Sequence, residues 1–243
     1  MKALFLIIFS AFFISSCGDN DPNNLIINFK LKYNNEPLVM FEEVTYPDGS
    51  KIEFTRISFY TSNYSINQDG GEINTPSNEA YYIDLTASHS DLELAERGLD
   101  FDTGLGINSK IDAFNFNIGV TSDINASVPQ DYSSSNDLSR TGEYWSNWNS
   151  YVFTKLEGRI DIDGDGISEA FALHLGSDAA LRNVSFSNLN ADENISLEID
   201  VNKIFNTGTL YDIKTTPNIH TLQQISHINQ LMDNLAGSFT VNQ

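Results

Sequence analysis

A chain of 243 residues with 40% hydrophobic and 12% aromatic residues is an ordered protein, not a disordered tail, and its length suits one large all-β domain better than two small ones. With 33 acidic against 13 basic side chains it carries a formal net charge of −20. Such a surface repels nucleic acid and anionic headgroups and attracts cations.

The chain begins "MKALFLIIFSAFFISSCGDND": one lysine, 12 mostly apolar residues from Ala3 to Ile14, then small residues up to Cys17. That order is a secretory signal, and the apolar run falls short of the roughly 20 residues a membrane-spanning helix needs. Ile14, Ser15, Ser16 and Cys17 have the form of a bacterial lipobox, so residues 1–16 read as a lipoprotein signal peptide with Cys17 as the acylated residue. Cys17 is the sole cysteine, which leaves an exported protein without a disulfide. Removing Lys2 with the signal leaves 12 basic against 33 acidic side chains, so the acyl chains rather than charge would hold the protein to a membrane. The expected place is the cell envelope, as an outer-membrane lipoprotein facing the periplasm or the surface. Residues 17–24 read as a lipidated tether and 25–243 as the β domain.

From residue 25, "LIINFKLKY" alternates Leu25, Ile27, Phe29, Leu31 and Tyr33 with polar residues, the mark of a half-buried strand. "YPDGS" at 46–50 predicts a turn. In the following "KIEFTRISFY" the apolar parity switches from Ile52 and Phe54 to Ile57 and Phe59, which predicts a bulge near Thr55. "YYIDL", "FNFNIGV" and "SLEIDV" are further strand runs, and Asn125 to Asn149, rich in Ser, Asn and Asp, reads as a long surface loop. Near the C-terminus Leu222, Ile225, Ile228, Met232, Leu235 and Phe239 recur at helical spacing, with Thr221 and Gln224 placed for a capping box and Gly237 for a stop. The fold class is therefore all-β, an antiparallel β-sandwich with one short C-terminal amphipathic helix.

Residues 159–176, "RIDIDGDGISEAFALHLG", hold the densest chemistry. Asp161, Asp163 and Asp165 occupy positions one, three and five of a calcium loop, with Gly166 at six, the Ile167 carbonyl at seven and Glu169 at nine. Hard oxygen donors at this spacing suit calcium, whereas Ala172 stands where a closing bidentate glutamate belongs. The same stretch reads equally as a solvated hairpin, because Asp163-Gly164 and Asp165-Gly166 are good turn pairs. His174 lies on the strand face opposite Phe171, Leu173 and Leu175, a wet or loop-covered side where a lone histidine more often packs than ligates. His220 and His227 stand about 10 Å apart along a helix, too far to hold one ion unaided, and His89 carries no signal in "TASHSD". Trp145 and Trp148 fit either core packing or an exposed aromatic platform. No nucleophile elbow, HExxH or phosphate loop occurs in the sequence, and the reading is a binding protein, not an enzyme.

Taken in order, "LIINFKLKYNNEPL", "RISFYTSNYSI", "FNFNIGVTSDIN", "YWSNWNSYVFTKLEG", "FALHLG" and a closing "NLAGSF" resemble the MbnP-like family. Its members are exported β-rich proteins named for a copper-binding protein, many of them lipoproteins. The resemblance implies copper held by histidine and a tryptophan that a partner dihaem enzyme oxidises to kynurenine. Trp145 is the matching tryptophan, with Trp148 behind it, and His174 the matching histidine. A surface module that recognises a protein or glycan without copper is the alternative.

Overall fold

The structure, a computed structural model, describes residues 23–242. The signal segment 1–16 and Cys17 lie outside the described residues. Fifteen strands follow one another: β1 (Asn23–Tyr33), β2 (Glu36–Pro37), β3 (Glu43–Thr45), β4 (Lys51–Gln68), β5 (Gly71–Asn74), β6 (Ala80–Asp84), β7 (Leu99–Ile107), β8 (Ile111–Ile118), β9 (Tyr144–Trp145), β10 (Ser150–Ile160), β11 (Glu169–Gly176), β12 (Arg182–Ala191), β13 (Asn194–Asp200), β14 (Asn218–Ile219) and β15 (Phe239–Asn242). Short helices α1 (Leu92–Arg97), α2 (Ser122–Asn125) and α3 (Val201–Asn206) interrupt them, and the longest, α4 (Ile225–Ser238), precedes β15.

The strands form two sheets. One runs β15-β13-β1-β2 with β7 also on β1, and the other runs β12-β8-β4-β10-β11-β14 with β3, β5 and β6 along β4 and β9 on β10. Alternation in β1 buries Leu25, Ile27, Phe29, Leu31 and Tyr33, as the sequence predicts. The facing residues of β4 and β8 close the core between the sheets. Phe29 meets Phe59 edge-on at 5.9 Å, and Phe239 of β15 reaches Phe59 at 6.1 Å and Phe116 at 5.4 Å. The expected bulge is present: β10 pairs Glu157 with Arg56 and then Gly158 with Phe54, so Thr55 is skipped. That extra residue lets both Ile52/Phe54 and Ile57/Phe59 face inward.

Two details extend the sequence reading. Most ladders are antiparallel, but β1 pairs with β13 and β11 with β14 in parallel. Parallel neighbours need a long crossover, and alternation within a strand carries no trace of its partner's direction. The C-terminal helix also ends later than glycine suggests. Leu222–Gln224 form a 3₁₀ turn, α4 passes through Gly237 to Ser238, and Phe239 leaves the helix as the first residue of β15. Burial of Phe239 between the sheets outweighs the weak helix propensity of one glycine. The capping pair is shifted by one residue: Gln224 Oε1 accepts from the His220 backbone N–H at 3.1 Å, and Thr221 Oγ1 from Gln223 at 3.3 Å.

The segment 125–149, expected as a loop, starts at the end of α2, passes through three 3₁₀ turns (Pro129–Asp131, Asp137–Ser139 and Thr141–Glu143) and includes β9, and it has its own anchors. Leu138 is buried, the Tyr60 and Tyr151 hydroxyls donate to the carbonyls of Asp137 (3.0 Å) and Leu138 (2.8 Å), and Asn125 Oδ1 accepts from the Tyr151 backbone N–H at 2.9 Å. These ties lay the loop over the outer face of β10.

Candidate metal centre

The loop delivers its aromatic residues through a tight hairpin. Trp145 of β9 pairs with Ser150 of β10, the Trp148 N–H donates to the Trp145 carbonyl at 3.0 Å, and Asn149 takes the left-handed conformation (φ 49°) that asparagine tolerates. Trp145 and Trp148 are thereby stacked, ring centroids 4.6 Å apart. Trp148 leans on the core, and both indoles are half-buried.

Beneath this hairpin lies the outer face of β11. Phe171, Leu173 and Leu175 point into the core, which turns His174 out and under the loop, where it is largely covered. On the neighbouring strand Ile219 of β14 pairs in parallel register with Leu173, so the next residue, His220, stands beside His174. Strands one ladder apart place in-register side chains about 4.8 Å apart, and the two imidazoles lie parallel with centroids 5.0 Å apart and 5° between planes. Trp145 meets both edge-on, His174 at 5.5 Å and His220 at 5.1 Å. A depression of about 200 Å³ is bounded by Tyr144, Trp145, Val152, Lys155, His174 and His220.

Polar partners fix the rings. His174 Nε2 lies 2.7 Å from Glu157 Oε1. That hydrogen bond, helped by the charges of His174, Arg56 and Lys155 and opposed by burial, holds the Glu157 carboxyl below the usual range. Burial and then the neighbouring His174 lower the pKa of His220, while its hydrogen bond to the Ala172 backbone opposes them. Lys155 is buried on the same floor, yet its charge is matched: Nζ is 2.9 Å from Glu143 Oε2 and donates to the Gly142 carbonyl at 2.7 Å. Arg56 grips the other oxygen of Glu143 at 2.6 Å. The buried carboxylate thus clamps the start of β9 to β10 and β4.

The structure brings Trp145, Trp148 and His174 together and adds His220, which sequence spacing tied only to His227. His227 lies elsewhere, edge-on to Tyr211 at 5.7 Å. The missing signal was the β11–β14 register, a contact between residues far apart in the chain. Two imidazoles side by side, one of them held through Nε2 by Glu157, offer nitrogen donors of the kind copper prefers, and the indole supplies a polarisable face.

The acidic stretch forms the β10–β11 hairpin. Carboxylate oxygens of Asp161, Asp163 and Asp165 come within 4.8 Å of one another. Backbone amides hold them there: Asp161 accepts from Gly164 (2.8 Å) and Gly166 (3.1 Å), Asp163 from Asp165 (3.2 Å) and Asp165 from Ile167 (2.7 Å). Glu169 turns to the Ile162 N–H at 3.1 Å instead of joining the three.

A two-sheet sandwich carrying an imidazole pair under a tryptophan hairpin defines a binding scaffold with one aromatic, nitrogen-rich depression. The MbnP family model matches residues 22–222, and the chain belongs to that family. Its fold is similar to that of MbnP from Methylosinus trichosporium, with a TM-score of 0.52 and 11% identity over 77% of this chain and 78% of the other. No curated protein matches the sequence.

Proposed function

We propose that this protein is an exported, lipid-anchored copper-binding protein of the cell envelope that binds without catalysing a reaction. His174 and His220 would supply the nitrogen ligands, and Trp145, the tryptophan in contact with both, is the residue a partner dihaem enzyme would oxidise to kynurenine. The observation that carries the reading is the parallel pair of imidazoles under Trp145, with His174 held through Nε2 by Glu157. A glycan- or protein-binding platform would present aromatic faces to solvent, whereas here Trp145 and Trp148 stack on each other and both are half-buried. Copper supplies the ion chemistry when bound, and the protein's own residues set the donors and cover them.

The acidic turn is read separately as a calcium-braced hairpin. Its three gathered carboxylates would repel one another less with a divalent cation between them, and its affinity is modest because Ala172 stands in place of the closing glutamate.

The test uses the chain from residue 17 onward with Cys17→Ser, since a free thiol would itself bind copper. Metal analysis and intact mass are compared for protein made with and without a cognate dihaem enzyme. Bound copper that disappears in both His174→Ala and His220→Ala, with a kynurenine mass shift mapped to Trp145, is the expected result. Copper-free, unmodified and fully folded protein would refute the reading.

A further inference from the structure

A row of paired charge and dipole crosses four strands of the larger sheet. Arg56 of β4 stands opposite Glu157 of β10 in the ladder, Glu157 reaches diagonally to His174 of β11, and His174 stacks on His220 beside β14. The register explains the diagonal: Lys155 is the residue directly opposite His174, and Glu157, two further along, shares its outward face. A long side chain spans such a diagonal easily.

The proton in the Glu157–His174 contact can be placed. An ionised carboxylate only accepts hydrogen bonds, so at a separation of 2.7 Å the imidazole must donate from Nε2. In the neutral ring that leaves the lone pair on Nδ1. Resting on the copper reading above, we infer that Glu157 is a positioning residue: by accepting the Nε2 proton it fixes the tautomer and ring orientation of His174 and assigns Nδ1 as the metal-binding nitrogen. Carboxylates that hold ligand histidines this way also raise the basicity of the other nitrogen. Arg56 stands directly opposite Glu157 in the β4–β10 ladder. With Oε1 on His174 and Arg56 opposite it, Glu157 serves as the partner of a ligand, not as a ligand itself. Lys155 cannot replace it, because its ammonium is spent on Glu143 and on the Gly142 carbonyl.

The inference is tested with the Cys17→Ser chain from residue 17 onward. Imidazole nitrogen shifts by long-range proton–nitrogen correlation, taken at alkaline pH without metal, report the tautomer, and competition with a chromophoric copper(I) chelator reports affinity. In the parent, His174 should be an Nε2–H tautomer. Glu157→Ala should mix the tautomers and weaken copper(I) binding by roughly 10- to 100-fold, the usual cost of losing such a partner. Glu157→Gln, which keeps an accepting oxygen and serves if the alanine variant folds poorly, should lose less. An Nδ1–H tautomer in the parent, or unchanged copper(I) affinity in both variants while the parent binds tightly, would overturn the positioning role alone. A parent that holds the Nε2–H tautomer yet takes no copper(I) would overturn the copper reading, and the role with it.

Discussion

At the scale of single residues, the least conspicuous histidine in the sequence has the clearest physical role. His89 is wholly buried; its Nε2 accepts from the Leu31 backbone N–H at 2.9 Å, and Nδ1 lies 2.9 Å from the Leu85 carbonyl, so the neutral ring ties β1 to the turn before α1. Burial lowers its pKa to about 4. Because the folded protein resists a proton that the unfolded chain accepts near pH 6.5, the stability it confers is complete above that pH. It is lost as pH falls through about 4, a drop of about 3 kcal/mol on the usual scale. Urea midpoints between pH 7 and pH 4 should show that slope, and a His89→Gln variant, less stable at neutral pH, should show much less of it. Nothing in "TASHSD" announced this, since the burial comes from packing against β1, 58 residues away. Gly176 has a similar hidden role. A Cβ there would stand 2.6 Å from the Tyr151 carbonyl and 3.2 Å from the Trp148 ring. Gly176→Ala should therefore cost about 1–3 kcal/mol by overpacking, and should displace Trp148, and Trp145 stacked on it, visibly in tryptophan fluorescence. The outward placement of His174 was legible from parity alone, whereas its partner His220 was not.

Among the elements, alternation made the strands readable, and the parity switch even located the skipped Thr55. Period two reports which face is buried but says nothing about neighbours, so the two parallel pairings, and with them the meeting of β11 and β14, had no local signature. The helix was readable from its stripe, but its end was set by the demand for Phe239 in the core. The β10–β11 hairpin was legible as a turn and as an acidic cluster at once, for the same residues serve both: their carboxylates accept the turn's own amides. Calcium should raise the melting temperature of the parent by a few degrees at millimolar concentration, and Asp163→Ala should abolish that response while leaving the copper site intact. A parent indifferent to calcium would mark the carboxylates as turn-formers only. Because the hairpin is at the far end of β10 and β11 from His174, neither ion should alter the binding of the other.

Considered as a whole, the molecule builds its aromatic depression from pieces that are distant in sequence: the β9–β10 hairpin, the outer face of β11 and the residue after β14. The buried Glu143 joins them by holding Arg56 of β4 and Lys155 of β10 at once, a pairing that would leave an uncompensated charge if either partner were removed. None of this arrangement can survive unfolding, since the unfolded chain separates His174 from His220 by 45 intervening residues. Copper that needs both imidazoles must then bind the native state almost exclusively. Linkage converts that preference into stability, about 2.7 kcal/mol when free copper(I) is buffered at about 100 times its dissociation constant. Thermal unfolding of the Cys17→Ser chain under buffered copper(I) should therefore show a midpoint that climbs with the logarithm of the metal concentration. The climb should vanish in both His174→Ala and His220→Ala and persist in His227→Ala, whose ring packs on Tyr211 away from the depression. A climb that survives loss of His220 would place the ion elsewhere, because only the parallel β11–β14 register makes that histidine a neighbour.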